Sequence, residues 1–245
     1  MLGLGFGHAR EGIREVLCLG AHSDDIEIGC GGAILELIAA NPGLRVIWVV
    51  FSGNAGRSAE ARVSARRFLQ GAGSSRVLIR KQRDGFFPTQ TTEIKQFFET
   101  LKRTCAPDII FTHYRHDRHQ DHRTISDLTW NTFRNHLVLE YEIPKYDGDL
   151  GTANVFVPVS RETAHRKVGD LFSIFKSQLG QHWFTPDLFF GLMRIRGIEC
   201  CTDFAEAFHA RKAVIDARGA PAGVHPAPER PRTGSRKSRA RGRPK

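Results

Sequence analysis

Two short segments concentrate the residue types that carry acid–base and metal chemistry. In Ala21-His22-Ser23-Asp24-Asp25-Ile26-Glu27 an imidazole stands beside two adjacent carboxylates. Neighbouring acids repel each other and cost stability unless a cation lies beside them. One His and one Asp three residues apart in a turn can ligate a single metal, which leaves the other Asp to face a water. The competing reading is an acidic turn that caps the next helix. The second segment, His113-Tyr-Arg-His116-Asp117-Arg-His119-Gln-Asp121-His122, holds four of the eleven histidines. Its competing reading is a solvated stripe on one helix face.

A set of two imidazoles and one carboxylate, such as His22, Asp25 and His122, leaves a metal with a position open for water, as in hydrolytic zinc sites. Such an ion lowers the pKa of its water from about 15.7 to about 7 and polarises a carbonyl. Asp24 then suits a general base that later protonates a leaving amine. A protonated His119 suits a donor to a developing oxyanion. Asp121 suits a group that favours that charge and orients the His119 ring.

Elements of a regular kind must bring the two segments together. Val16–Gly20, Arg45–Ser52, Val77–Arg80 and Asp108–His113 read as buried strands, and Gly29–Ala40, Arg57–Leu69, Thr91–Lys102 and His122–His136 read as the helices that follow them. Strands that are continuously apolar rather than alternating predict an α/β fold: a Rossmann-like, mostly parallel sheet with helices on both faces. Ligands in such sheets sit at the carboxyl ends of the strands, near the point where strand order reverses. Both chemical segments directly follow predicted strands and so share one rim. In the second half, Leu137–Tyr141 and Asn154–Val159 read as strands, Arg161–Phe175 as a helix and Leu188–Ile195 as a mostly apolar piece. The glycines of Gly29–Gly32 fit neither phosphate-binding pattern and are read as close helix–strand packing. Trp183, Phe184, Phe204 and Phe208 read as core, or as an apolar wall against a ligand face.

Charge is unevenly placed. The chain of 245 residues carries a net +10, yet Arg218–Lys245 holds nine Lys/Arg and one acid, so about +2 remains for the rest. This Pro-, Gly-, Ser- and Arg-rich stretch has little to bury, so residues 1–216 are expected to form one domain and 217–245 a disordered basic tail. No apolar run reaches the roughly 18–20 residues a membrane span needs. The opening MLGLGFGHAREGIREV is too interrupted for a signal-peptide core. Five cysteines (18, 30, 105, 200 and 201) without CxxC spacing suit a reduced, cytoplasmic setting.

The segments AHSDDIEIGCGG and HDRHQDH resemble the two signature motifs of the LmbE/PIG-L family of de-N-acetylases. The resemblance extends through RSAEARVSARRFL, RDGFF, PDIIFTH, YEIPKY and Ser177-Gln178, and so covers Val16 to about Val214. It implies a hydrolase that removes an acetyl group from an N-acetylglucosamine-type sugar or glycoconjugate. It also implies one divalent metal, zinc ahead of iron(II), on His22, Asp25 and His122, with Asp24 as base and His119 and Asp121 assisting. The choice of His122 among four histidines follows from the resemblance. Arg57 matches an Arg that the family places near substrate; its competing reading is a surface pair with Glu60 at i,i+3. The family commonly has Pro where this chain has Ser23 and Gln120, which implies altered loop rigidity.

Two other functions fit parts of the pattern. Two His and one carboxylate also describe the facial triad of non-haem iron(II) oxygenases, although such sites usually occupy β-rich barrels. The Arg-Gly-Arg-Pro core in Arg239–Lys245 is similar to minor-groove-binding peptides, which would give weak, salt-sensitive nucleic-acid binding through the tail alone. The near-neutral body argues against nucleic acid as the main partner. Substrate carrier and oligomeric state are not encoded legibly.

Overall fold

The apolar runs assemble into one seven-stranded sheet. A computed structural model describes residues 12–214. The strands are β1 (Glu15–Gly20), β2 (Arg45–Ser52), β3 (Ser74–Gln82), β4 (Ile109–His113), β5 (Leu137–Tyr141), β6 (Val155–Val159) and β7 (Phe204–His209). Their order is β3-β2-β1-β4-β5-β7-β6. The first five run parallel, while β7 is antiparallel to both β5 and β6. The expected mostly parallel α/β sheet is what the chain forms.

Alternation along the central strands divides the core into two layers. Val16 and Cys18 of β1, with Val46, Trp48 and Val50 of β2, face one cluster. Leu17 and Leu19, with Ile47, Val49 and Phe51, face the other. The first layer is covered by α1 (Asp25–Ala40), α2 (Ala55–Phe68), α5 (Arg161–Ile174) and α6 (Pro186–Cys200), through Ile34, Phe68, Leu171 and Phe189. The second is covered by α3 (Thr91–Thr104) and α4 (Gln120–Thr132), through Ile94, Phe98 and Ile125. Because β1 leads by way of α1 to β2 on one side, while β4 and β5 lie on the other, strand order reverses between β1 and β4. The crevice that forms at such a reversal is where the two chemical segments emerge.

Several elements differ from the sequence expectation. Helix α1 starts at Asp25, four residues before the glycines, so Asp25 belongs to its first turn, where a carboxylate suits the helix dipole. Helix α4 covers Gln120–Thr132 and stops short of His136. The apolar piece at 188–195 is the middle of α6, a helix capped by Thr185 whose hydroxyl accepts from the Leu188 N–H. Its outer face keeps Ile195 and Ile198 exposed, which blurs the helical period. Strand β7 was not anticipated, because Glu206 interrupts its apolar character. Phe184, Phe204 and Phe208 are buried core.

Glu206 is buried because α1 and α5 satisfy it. Its carboxylate accepts the Gly32 and Ala33 N–H groups, both at 2.7 Å, and the Lys167 ammonium at 2.6 Å. Lys167 also donates to the Ile28 carbonyl at 2.7 Å. A buried ion pair is tolerable when its remaining hydrogen-bonding capacity is filled in this way. The glycine cluster is packing, as expected: a Cβ on Gly29 would stand 2.2 Å from the Tyr141 ring, and one on Gly32 would stand 2.9 Å from Glu206 Oε1.

Gly29→Ala therefore tests whether this close approach fixes α1 on the sheet. Overpacking of that degree is expected to lower unfolding free energy by about 3 kcal/mol. Gly43→Ala, where an added Cβ meets nothing within 4 Å, should change it little. Urea denaturation of both variants provides the comparison.

Candidate metal centre and active site

All five parallel strands deliver residues to one rim. The turn after β1 carries His22, Asp24 and Asp25, while β2 is followed by Arg57 at the start of α2 and β3 by Asp84. Strand β4 ends at His113 and continues into Asp117, His119, Asp121 and His122, and β5 is followed by Lys145 and Tyr146. Asn54 caps α2 by accepting from the Arg57 N–H, and His119 caps α4 by accepting from the Asp121 N–H. Many of them border a cleft of about 270 Å³ whose walls include His22, Asp24, Arg57, Asp84, Tyr146 and Trp183, while His113, Asp117 and Asp121 lie behind its lining.

Side chains of His22, Asp25 and His122 approach one another within it. His22 Nδ1 lies 3.1 Å from His122 Nε2 and 3.3 Å from Asp25 Oδ2, and His122 Nε2 lies 3.6 Å from Asp25 Oδ1. A tetrahedral ion with ligand arms of about 2.1 Å separates its ligands by about 3.4 Å, so these spacings suit one cation. The tautomers reinforce the fit. His122 Nδ1 is 2.8 Å from Asp117 Oδ2, and donating there leaves a lone pair on Nε2. His22 Nε2 faces Asp84 Oδ1 at 3.1 Å and Asp121 Oδ2 at 3.4 Å, which leaves the other lone pair on Nδ1. Two nitrogen lone pairs and a carboxylate thus meet at one point, an arrangement that repels itself unless a cation or proton occupies the centre.

The other histidines separate by position. His113 is fully buried and stacks on His122 with ring centres 3.9 Å apart. Its Nε2 accepts from the Ala21 N–H at 2.9 Å and approaches Asp25 Oδ2 at 3.2 Å, so together with Asp25 and His122 it forms a second candidate ligand group. His116 is exposed and packs its ring against Tyr114. His119 lies beside both His22 and His122, with ring centres 4.8 and 4.6 Å away.

Electrostatics follow from this crowding. Burial opposes a charge on His22, but Asp25, Asp121 and Asp84 outweigh it and hold its pKa well above the usual value. Burial and the neighbouring His113 push His122 down to about 3. Burial works against ionised Asp25 and is overcome by His122, His22 and His113, so its pKa falls well below the ordinary range. Burial raises Asp24 despite the Arg57 guanidinium, which donates to Oδ1 at 2.8 Å.

Comparison with known proteins now becomes decisive. A GlcNAc-PI de-N-acetylase (PIG-L) family model matches residues 17–133, which contain every residue of the two chemical segments. Residues 17–133, 117 of the chain's 245, are thus similar to the PIG-L family domain. A curated relative, the uncharacterized deacetylase YaiS of Escherichia coli K12, is 29% identical over 140 residues, covering 54% of this chain and 75% of that protein. The fold is shared with the N,N'-diacetylchitobiose deacetylase of Pyrococcus horikoshii, at 18% identity and a TM-score of 0.61 over 84% of this chain and 86% of that one. It is also shared with GalB, the 4-carboxy-2-hydroxymuconate hydratase of Pseudomonas putida KT2440, at 16% identity and a TM-score of 0.64 over 83% and 98%. The family matched is one of de-N-acetylases, whereas the fold by itself serves other reactions as well.

Several expected contacts are redrawn. The Asp121 carboxylate accepts the Gly85 and Phe87 N–H groups at 2.7 and 3.0 Å and faces His22, so Asp121 holds the His119 ring through its backbone N–H instead. His119 Nδ1 accepts the Asp121 N–H at 3.2 Å, and burial together with His22 lowers its pKa, both of which favour the neutral ring. Arg57 is paired with Asp24 rather than Glu60, which instead accepts from Ser177. Gln120, in place of the family's Pro, donates to the Gly85 carbonyl at 3.1 Å and so ties the β3–α3 loop to α4. Ser23 is buried, its hydroxyl 3.5 Å from the Ser52 carbonyl.

The sequence reading missed Asp84, Asp117 and Lys145. Asp84 stood in the quoted RDGFF segment, and its placement after a strand was the available signal. The basic tail, 217–245, lies outside the described residues. Among those described, no helix is long and apolar enough to cross a membrane.

The metal-free protein should be acid-labile. Unfolded His titrates near 6.5, whereas folded His122 takes its proton only near 3, so between those values the unfolded chain binds more protons. Stability then falls as pH drops from 6.5 toward 3, and the depressed Asp25 and Asp117 add to the loss in the acid part of that window. The contribution of His22, whose pKa is raised, is already complete below 6.5 and does not change there. Melting temperatures of chelator-treated protein should decline over this range, and less steeply in His122→Gln.

Proposed function

We propose that the chain hydrolyses the N-acetyl group of an N-acetylglucosamine-type sugar or glycoconjugate, with one divalent ion, zinc before iron(II), held by His22, Asp25 and His122. The convergence of two imidazole lone pairs and one carboxylate at spacings of 3.1–3.6 Å, beside an open cleft, carries this reading. An ion held there acidifies water and polarises the amide carbonyl.

The surrounding side chains are assigned the remaining work. Asp24, buried beside Asp25 and kept in place by Arg57, takes a proton from the attacking water. It then returns that proton to the amine nitrogen as the carbon–nitrogen bond breaks, giving acetate and the free amine. His119, whose Nδ1 is committed to the backbone, presents a neutral Nε2–H to the developing oxyanion. Asp121 and Asp84 accept from His22 Nε2 and so direct its Nδ1 to the centre.

Recognition of the sugar falls to the opposite wall. The Arg57 guanidinium lies 4.0 Å from Asp84 Oδ2, and Asp84 remains 58% exposed at its side chain. A paired donor and acceptor at that separation suit adjacent sugar hydroxyls. Trp183 on the same cleft supplies an apolar face. The N,N'-diacetylchitobiose specificity in the name of the Pyrococcus enzyme supports a sugar substrate. An α/β sheet rather than a β-rich barrel counts against the oxygenase alternative.

Acetate release from N-acetylglucosaminides with different aglycones, assayed with defined metals, provides the test. Chelation should abolish release and zinc should restore it. Asp24→Asn should lower kcat by about 10²–10⁴-fold while metal content stays the same. Full activity in that variant would remove Asp24 from its assigned role.

A further inference from the structure

We infer that Lys145 is a positioning residue that couples one wall of the substrate cleft to the metal ligand His122 through Asp117. The inference rests on the metal site proposed above. Asp117 is 2% exposed and has no solvent route by which to satisfy its charge. Its Oδ1 accepts the His119 N–H at 2.8 Å, and its Oδ2 accepts from His122 Nδ1 at 2.8 Å. The same Oδ2 lies 3.0 Å from the Lys145 ammonium. Asp117 is therefore held on three sides, and one of the three partners comes from outside the His-rich segment.

Lys145 belongs to the segment between β5 and β6, in which Ile143, Tyr146 and Asp147 also line the cleft. Its side chain is only 11% exposed, and it binds Asp149 Oδ2 at 2.5 Å as well as Asp117. Asp149 in turn accepts the Arg118 N–H at 2.7 Å, one residue beyond Asp117. Two carboxylates and one ammonium thus clasp the cleft wall to the turn that carries His122. An uncompensated buried carboxylate in this place would swing toward other donors or take up a proton. Either change removes the acceptor that fixes the His122 tautomer and aims Nε2 at the centre. Partners of metal-ligating histidines commonly contribute about 10–100-fold in metal affinity, so the group that holds such a partner should contribute measurably.

The experiment measures zinc affinity by chelator competition in the full-length protein, alongside kcat and KM for acetate release. Lys145→Met should weaken zinc binding by about 10-fold or more and lower kcat, and Lys145→Arg should recover most of both. Asp149→Asn, which loosens the hold on Lys145 but keeps its Asp117 contact, should weaken zinc binding less than Lys145→Met does. In a double-mutant cycle with Asp117→Asn, the Lys145→Met effect on affinity should largely vanish, because Lys145 acts through that carboxylate. Should Lys145→Met fail to fold, Lys145→Gln, which keeps a polar head but removes the charge, takes its place in the same cycle with the same expected outcome. Parental zinc affinity in folded Lys145→Met, or additive effects in the cycle, would overturn the inference. His122→Ala binding zinc as tightly as the parent would instead refute the metal site itself.

Discussion

Three electron-pair donors aimed at a common point are a liability that the fold must hold in place before any cation can profit from it. His22 Nδ1 and His122 Nε2 stand 3.1 Å apart, with Asp25 Oδ2 3.3 Å from the first and Asp25 Oδ1 3.6 Å from the second. Left to itself such a cluster would spread apart. It is kept together because its members leave the ends of β1 and β4, adjacent parallel strands inside a sheet packed on both faces. Each imidazole is also anchored by its far nitrogen, His122 on Asp117 and His22 on Asp121 and Asp84.

The anchoring explains features otherwise remote from chemistry. Asp121 can serve His22 because the backbone of the β3–α3 loop donates two N–H groups to it, and Gln120 fastens that loop through the Gly85 carbonyl. Helix α1 can start at Asp25 and lie against the sheet because glycines let Tyr141 and Glu206 approach its backbone. The Tyr141 hydroxyl donates to the Leu19 carbonyl at 2.6 Å, joining β5 to the strand that ends in the first chemical segment. Packing, polar satisfaction and ligand geometry are therefore parts of one arrangement.

Much of this was legible in residue types and spacing. Val16–Gly20 and Asp108–His113 are too apolar and too short to be anything but buried strands, and that fixes where His22 and His122 emerge. Other features depend on partners distant in sequence. Strand β7 was hidden because Glu206 looks like a surface residue until Lys167 and the α1 backbone enclose it. Asp117 read as one more acid in a charged turn, since nothing near it in sequence announces Lys145. The pairing of Arg57 with Asp24, rather than Glu60, likewise requires α2 to be placed against the β1 rim. The His119 tautomer depends on where α4 begins, a boundary that periodicity locates only to within a few residues.

The central claim is that one cation belongs between His22, Asp25 and His122. Three other groupings compete with it: His22 with His119 and His122, Asp25 with His113 and His122, and His22 with Asp84 and Asp121. Anomalous diffraction at the zinc absorption edge, from crystals of zinc-loaded protein, distinguishes these directly. The account predicts a single strong peak bonded to His22 Nδ1, His122 Nε2 and an Asp25 oxygen. A peak bonded to His22 Nε2, Asp84 and Asp121, with none at the predicted point, would contradict it.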